Sequence, residues 1–154
     1  MSTPFDSGAV DMLASVGAQG FKVASCDITN FPLLKKIASK GLPVVLSTGA
    51  STMEEISDAV AALENGGVSA IAILHCTLTY PTPVDDLNLL AIEEIMRAFP
   101  DYLVGLSDHS LGIEAPPLAV ALGARVIEKH FTIDKTLPDS ADHWLSVDEP
   151  ELTE

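Results

Sequence analysis

Basic residues are scarce in this chain: 8 Lys and Arg stand against 22 Asp and Glu, a formal net charge of −14 over 154 residues. A protein that holds nucleic acid or an acidic membrane surface needs a basic face, so neither kind of partner is expected. Cysteine is scarce too. Cys26 and Cys76 are the only two; they form no CxxC pair, and each sits near the end of an apolar run that reads as a strand. Two reduced, buried thiols are expected, and a structural zinc site would need more ligands. No apolar run reaches the ~18–20 residues that span a bilayer. Residues 1–6 lack the basic and apolar regions of a secretory leader, so a cytoplasmic protein is the expectation. A Gly-rich GxGxxG after the first strand is missing as well.

What the chain has is apolar bulk, 47% hydrophobic residues, enough for one domain with a core. It is laid out as alternating strand and helix patterns. Strands are expected over 21–25, 43–47, 70–74, 102–106 and 125–129, with a strand remnant ending at Thr3. Helices are expected over 8–16, 31–39, 51–65, 87–99 and 114–122. Asn30 reads as a helix cap, and Ser51 with Glu54 three residues on reads as a capping box. Pro116 and Pro117 suit a first helical turn. Apolar strands separated by helices imply a parallel sheet.

Two architectures compete, a complete five-stranded doubly wound sheet and part of an eight-stranded barrel, whose full form needs ~250 residues. The strand ends favour the barrel. Polar residues follow nearly every strand: Thr3, Ser25 and Asp27, Ser47 and Thr48, His75 and Thr77, Ser107 to His109, His130. A barrel gathers all strand C-termini at one mouth, whereas an open sheet concentrates useful positions at one switch point.

His109 and His130 follow two successive strands, and parallel neighbours lie ~4.8 Å apart, so the two imidazoles can share one divalent ion. A lone histidine is more often a packed or hydrogen-bonded residue. Asp108 suits a partner that fixes a histidine tautomer. Lys22 sits inside an otherwise apolar strand, where an amine reaches solvent, binds an anion or forms a Schiff base. Asp27 is an acid or base, or else a turn residue. Period-2 alternation puts Val126, Glu128 and His130 on one side and turns Lys129 away. Residues 134–154 carry seven acids and one base, so an anionic substrate would rely on a few local cations, with Lys22 and Lys129 the candidates.

Eight motifs occur in order: Thr3-Pro4-Phe5-Asp6, Lys22-Val23-Ala24-Ser25, Ser47-Thr48-Gly49, His75-Cys76-Thr77, Tyr80-Pro81-Thr82-Pro83, Gly105-Leu106-Ser107-Asp108-His109, Glu128-Lys129-His130-Phe131 and Asp142-His143. Across the whole chain this resembles the sialic acid (nonulosonic acid) synthase family, which condenses phosphoenolpyruvate with an N-acetylated hexosamine such as N-acetylmannosamine. The resemblance implies a partial (β/α)8 TIM barrel, roughly strands 4–8 with a remnant of strand 3. The earlier strands and a C-terminal antifreeze-like domain would be absent. It implies Mn²⁺ or Mg²⁺ on His109 and His130. Thr3, Lys22, Ser25 and Ser107 would hold phosphoenolpyruvate, Tyr80 and Asp142 would contact the sugar, and Lys22 and Asp27 would be catalytic. Asp27 stands where the family usually carries Glu, and Leu78 where some members carry Asn or Ser. Asp139-Ser140-Ala141 replaces a Gly-Pro before Asp142. A homodimer is implied for the full-length enzyme. Two alternatives remain: another phosphoenolpyruvate-dependent synthase making a 3-deoxy sugar acid, and an inactive fragment or half-barrel.

Overall fold

The computed structural model describes residues 1–154. Its five strands are β1 (Phe21–Val23), β2 (Val44–Ser47), β3 (Ile71–Cys76), β4 (Leu103–Asp108) and β5 (Val126–Lys129). The sheet order is β1-β2-β3-β4-β5, and every pairing is parallel. A doubly wound sheet reverses its strand order at a switch point; this one never does. The sheet also curls, bringing Lys22 of β1 within 3.4 Å of Glu128 of β5. A flat sheet would hold those strands roughly 19 Å apart, four spacings of ~4.8 Å. The chain is therefore part of a (β/α)8 barrel. Ser2 pairs parallel with Phe21 on the far side of β1, the place of a preceding barrel strand.

The helices α1 (Ser7–Ser15), α2 (Phe31–Ala38), α3 (Met53–Asn65), α4 (Ala91–Ala98) and α5 (Ala115–Ala121) alternate with the strands, and a short α6 (Glu149–Thr153) follows them. One face of the sheet, with Phe21, Val23, Val44, Leu46, Ile71, Ile73, Val104 and Leu106, packs on Leu34, Ile37, Ile56, Leu63, Ile92 and Ile95 of the helices. Each such side chain contributes about 1.5–3 kcal/mol when fully buried. The intervening residues, including Lys22, Ser47, Cys76, Ser107 and Glu128, point by alternation to the concave side. The core and the site thus occupy opposite faces of the same strands.

Local signals hold with small shifts. The Asn30 side chain accepts from Leu33 N and caps α2. The capping box sits one residue later than expected, on Thr52 and Glu55. Ala50 takes a left-handed φ of 55° and the Ser51 hydroxyl donates back to Gly49 O, which delays the helix start. The helix expected over 87–99 begins only at Ala91, because Asn88 also lies in the left-handed region (φ 44°) and a separate 3-10 turn, Val84–Asp86, precedes it. Cys76 is buried, but Cys26 is exposed: β1 stops at Val23 and Cys26 falls in the 3-10 turn Ser25–Asp27. No helix is long and apolar enough to cross a membrane.

Candidate active site

The concave mouth gathers its polar side chains from β1, β2, β4 and β5 and from the residues that follow them. Lys22 has a side chain only 12% exposed. Its ammonium donates to Ser47 Oγ at 2.7 Å and to the Val23 carbonyl at 3.2 Å. Glu128 Oε1 lies 3.4 Å from the same nitrogen and accepts from Ser107 Oγ at 2.7 Å. Lys22, Ser47, Glu128 and Ser107 form one chain of charge-assisted contacts across the mouth. Ser25, also buried, accepts from Gly49 N at 2.9 Å through its Oγ, which ties the loop after β2 to the end of β1.

Beside this network stand the two histidines. Their ring centroids are 5.4 Å apart, with planes at 65°. Tyr80 stacks on His109 at 3.9 Å and meets His130 edge-on at 5.6 Å. The Thr77 carbonyl lies 2.8 Å from His109 Nδ1; since a carbonyl can only accept, Nδ1 carries the proton and Nε2 keeps its lone pair for a ligand. The tautomer is thus set by Thr77, and the expectation for Asp108 is corrected. Its carboxylate accepts instead from Lys129 Nζ and from Ser110 N, on the opposite face from the histidines, because consecutive strand residues alternate. Burial pushes the His130 pKa down; proximity to His109 adds to this, and Asp142 and Glu128 oppose it. A neutral imidazole is the ligand form. The mouth therefore fits a divalent cation with two imidazole nitrogens. No third His, Cys, Asp or Glu joins them, so further positions would go to water or substrate oxygen.

A cavity of about 180 Å³ is lined by Lys22, Ser25, Ser47, Tyr80, Ser107, Glu128 and both histidines. A larger groove of about 780 Å³ runs past Pro116, Leu118, Ile127 and Leu152 outside the barrel, with none of this chemistry. Asp142 reaches the mouth from the acidic tail, its Oδ2 3.8 Å from His130 Nδ1. Asp142 is not part of the cavity lining itself, and two further expected residues stand apart from it. Asp27 accepts from Asn30 Nδ2 at 3.0 Å, as a turn residue does. Thr3 lies at the end of the segment that pairs through Ser2 with β1. Sequence reasoning overlooked the Thr77 carbonyl, since a backbone acceptor leaves no mark in residue types. It also left Ser47 and Glu128 out of the site residues, although alternation placed Glu128 inward.

The profile described as the NeuB family matches residues 1–154. The chain belongs to the NeuB family. It is 46% identical over 154 residues to an N,N'-diacetyllegionaminic acid synthase of Campylobacter jejuni, covering 99% of this chain and 46% of that one. Among solved structures, the spore coat polysaccharide biosynthesis protein spsE of Bacillus subtilis superposes with a TM-score of 0.94 at 42% identity, over 99% of this chain and 42% of that one. An N-acetylneuraminic acid (sialic acid) synthetase of Leptospira borgpetersenii, crystallised with citrate, gives 0.92 at 43% identity, over 97% and 52%. This NeuB-family chain spans about half the length of the relatives it matches. The Campylobacter and Leptospira relatives are synthases of N,N'-diacetyllegionaminic and N-acetylneuraminic acid, which are enzymes.

Proposed function

We propose that this chain forms the anion- and metal-binding half of a synthase mouth that condenses phosphoenolpyruvate with an N-acetylated hexosamine, N-acetylmannosamine being one such sugar. The observation that carries the reading is the convergence, in one cavity, of a single inward lysine with a pair of imidazoles whose ring centroids lie 5.4 Å apart. The synthase relatives support it. In the proposed reaction C3 of the enolpyruvate forms a bond to the sugar aldehyde carbon, whose oxygen takes a proton. Water adds at C2 and gives up a proton, and the C2–O bond to phosphate breaks. The products are a nine-carbon 2-keto acid and inorganic phosphate.

Each residue has a task that follows from its contacts. The Lys22 ammonium, held by Ser47 Oγ, binds the substrate's anionic groups and is spoken for by oxygen acceptors rather than free to form a Schiff base. Ser107 and Ser25 add hydroxyl donors, and Thr3 extends the anion subsite from the rim. Tyr80, packed on His109, forms a wall for the sugar, with Asp142 opposite as a hydroxyl acceptor. Asp27, steadied by Asn30, is the rim carboxylate that would exchange protons with the incoming sugar or water. His109 and His130 would hold Mn²⁺ or Mg²⁺, which supplies Lewis-acid polarisation when bound. A cytoplasmic homodimer of the whole protein belongs to the same proposal. The test is phosphate release from phosphoenolpyruvate, measured with N-acetylmannosamine, other N-acetylhexosamines and no sugar. Release that requires an N-acetylated hexosamine and falls at least 100-fold in Lys22→Met supports the reading. Release indifferent to sugar sinks it.

A further inference from the structure

We infer that the Asp108–Lys129 ion pair, on the outer side of the sheet, is the positioning device for the histidine pair, setting the separation and angle at which β4 and β5 present His109 and His130. The inference rests on the metal-site reading of those histidines. Asp108 and Lys129 are direct partners in the last rung of the β4–β5 ladder. Each histidine is the next residue along its strand and projects to the other side. Asp108 Oδ2 accepts from Lys129 Nζ at 2.6 Å, with the side chains 0% and 9% exposed. The same ammonium donates to the Ser110 carbonyl at 2.8 Å, and Asp108 Oδ1 accepts from Ser110 N at 2.8 Å. His109 is therefore bracketed by Asp108 and Ser110, and both are fastened to the residue that precedes His130.

Stability alone does not explain such a pair. Taking two charges out of water costs about what their attraction returns, and apolar pairs of similar volume are often as stable. What an apolar pair lacks is direction. Three hydrogen bonds of fixed geometry, placed where the ladder ends, hold two strand termini in one relation.

The test replaces the pair by apolar groups, Asp108→Leu with Lys129→Met, in the otherwise unaltered protein. Three quantities are read: the unfolding midpoint without metal, Mn²⁺ affinity from the electron paramagnetic resonance of free Mn²⁺, and the ring-proton shift that stacking on Tyr80 gives His109 without metal. The expected result is a folded protein that binds Mn²⁺ at least tenfold more weakly and whose His109 signal moves toward its unstacked position. Lys129→Arg, which keeps the cation and its acceptors, should restore most of both. Wild-type affinity together with an unshifted His109 signal in the apolar pair overturns the inference. Should that variant fail to fold, Asp108→Asn decides by the same two readouts. If the wild-type protein takes up no Mn²⁺, the metal reading fails by itself, and the metal-free His109 signal still decides the positioning role.

Discussion

Gly105 lies in the middle of β4, two residues before Ser107 and four before His109, and it offers a sharp test of how tightly the mouth is built. It pairs with Leu74 on one side and Val126 on the other. A Cβ added there would collide with the Val126 carbonyl oxygen, and would lie 2.8 Å from Val126 C and 2.8 Å from Leu74 Cδ2. Carbon atoms in good contact sit about 3.5–4.0 Å apart, so roughly 0.7 Å or more must be found by movement. Leu74 can turn its methyl aside, but the Val126 obstacle is backbone, and β5 itself must yield. Overpacking typically costs about 1–3 kcal/mol, and a backbone obstacle places Gly105→Ala at the upper end, near 3 kcal/mol. At ~2–4 °C per kcal/mol for a chain of this size, the unfolding midpoint should fall by about 6–12 °C in circular dichroism. Since β5 also carries Glu128 and leads into His130, anion and metal affinity should fall with it. A midpoint within 2 °C of wild type, on the scale just given, would refute the claim that β4 and β5 meet without slack.

Lys22→Met should weaken phosphoenolpyruvate binding at least 100-fold in isothermal titration, with Lys22→Arg recovering part of it; equal affinity in the Met variant removes Lys22 from the anion site. Glu128→Gln should strengthen binding of phosphate and phosphoenolpyruvate several-fold in the same titration, because it frees the Lys22 ammonium from a competing carboxylate; unchanged or weaker binding contradicts that competition. Both tyrosines of the chain have pKa values raised to about 12, Tyr80 chiefly by burial and Tyr102 chiefly by its hydrogen bond to Glu64. The unfolded chain would ionise them near 10, so this contribution to stability is complete below pH 10 and is lost as pH rises toward 12. Absorbance at 295 nm should show no phenolate step at pH 10–11 in the folded protein, and a normal two-tyrosine step there would reject both the partial desolvation of Tyr80 and the Tyr102–Glu64 hydrogen bond.

Much of this is legible in the sequence, for identifiable reasons. Strand and helix alternation is a local signal, and the strand-end polar residues pointed to a barrel because only a barrel lets every strand contribute. Period-2 alternation put Glu128 and His130 inward and Lys129 outward, and the register confirms that division. Three things were not legible. The Ser51 and Thr52 choice of cap depended on Ala50 adopting a left-handed backbone, which its residue type does not announce. The tautomer of His109 depends on the Thr77 carbonyl, 32 residues away in sequence. The proximity of Lys22 to Glu128 depends on the curl of the whole sheet, a property of five strands together rather than of any one.

That curl also answers how a chain with a net charge of −14 can be read as binding an anion. Long-range field lines from an acidic surface repel phosphate, so attraction must be local and short-ranged, in a mouth where water is partly excluded and charges are less screened. Lys22 meets that condition, since its side chain is 12% exposed, while Glu128 is 43% exposed and lies toward the open side. The carboxylate is the outer partner and the cation the inner one. On the proposed function, an anion approaching from solvent would meet Glu128 first and would reach Lys22 only if that carboxylate turned away. Ser107, which donates to Glu128 at 2.7 Å, would then lose its acceptor and have a hydroxyl free for the incoming oxygen. The same carboxylate, 3.4 Å from the Lys22 ammonium, helps to hold that side chain in place. His109 and His130 flank that exchange at the same rim, so a cation seated between them would face the anion the moment Glu128 gives way.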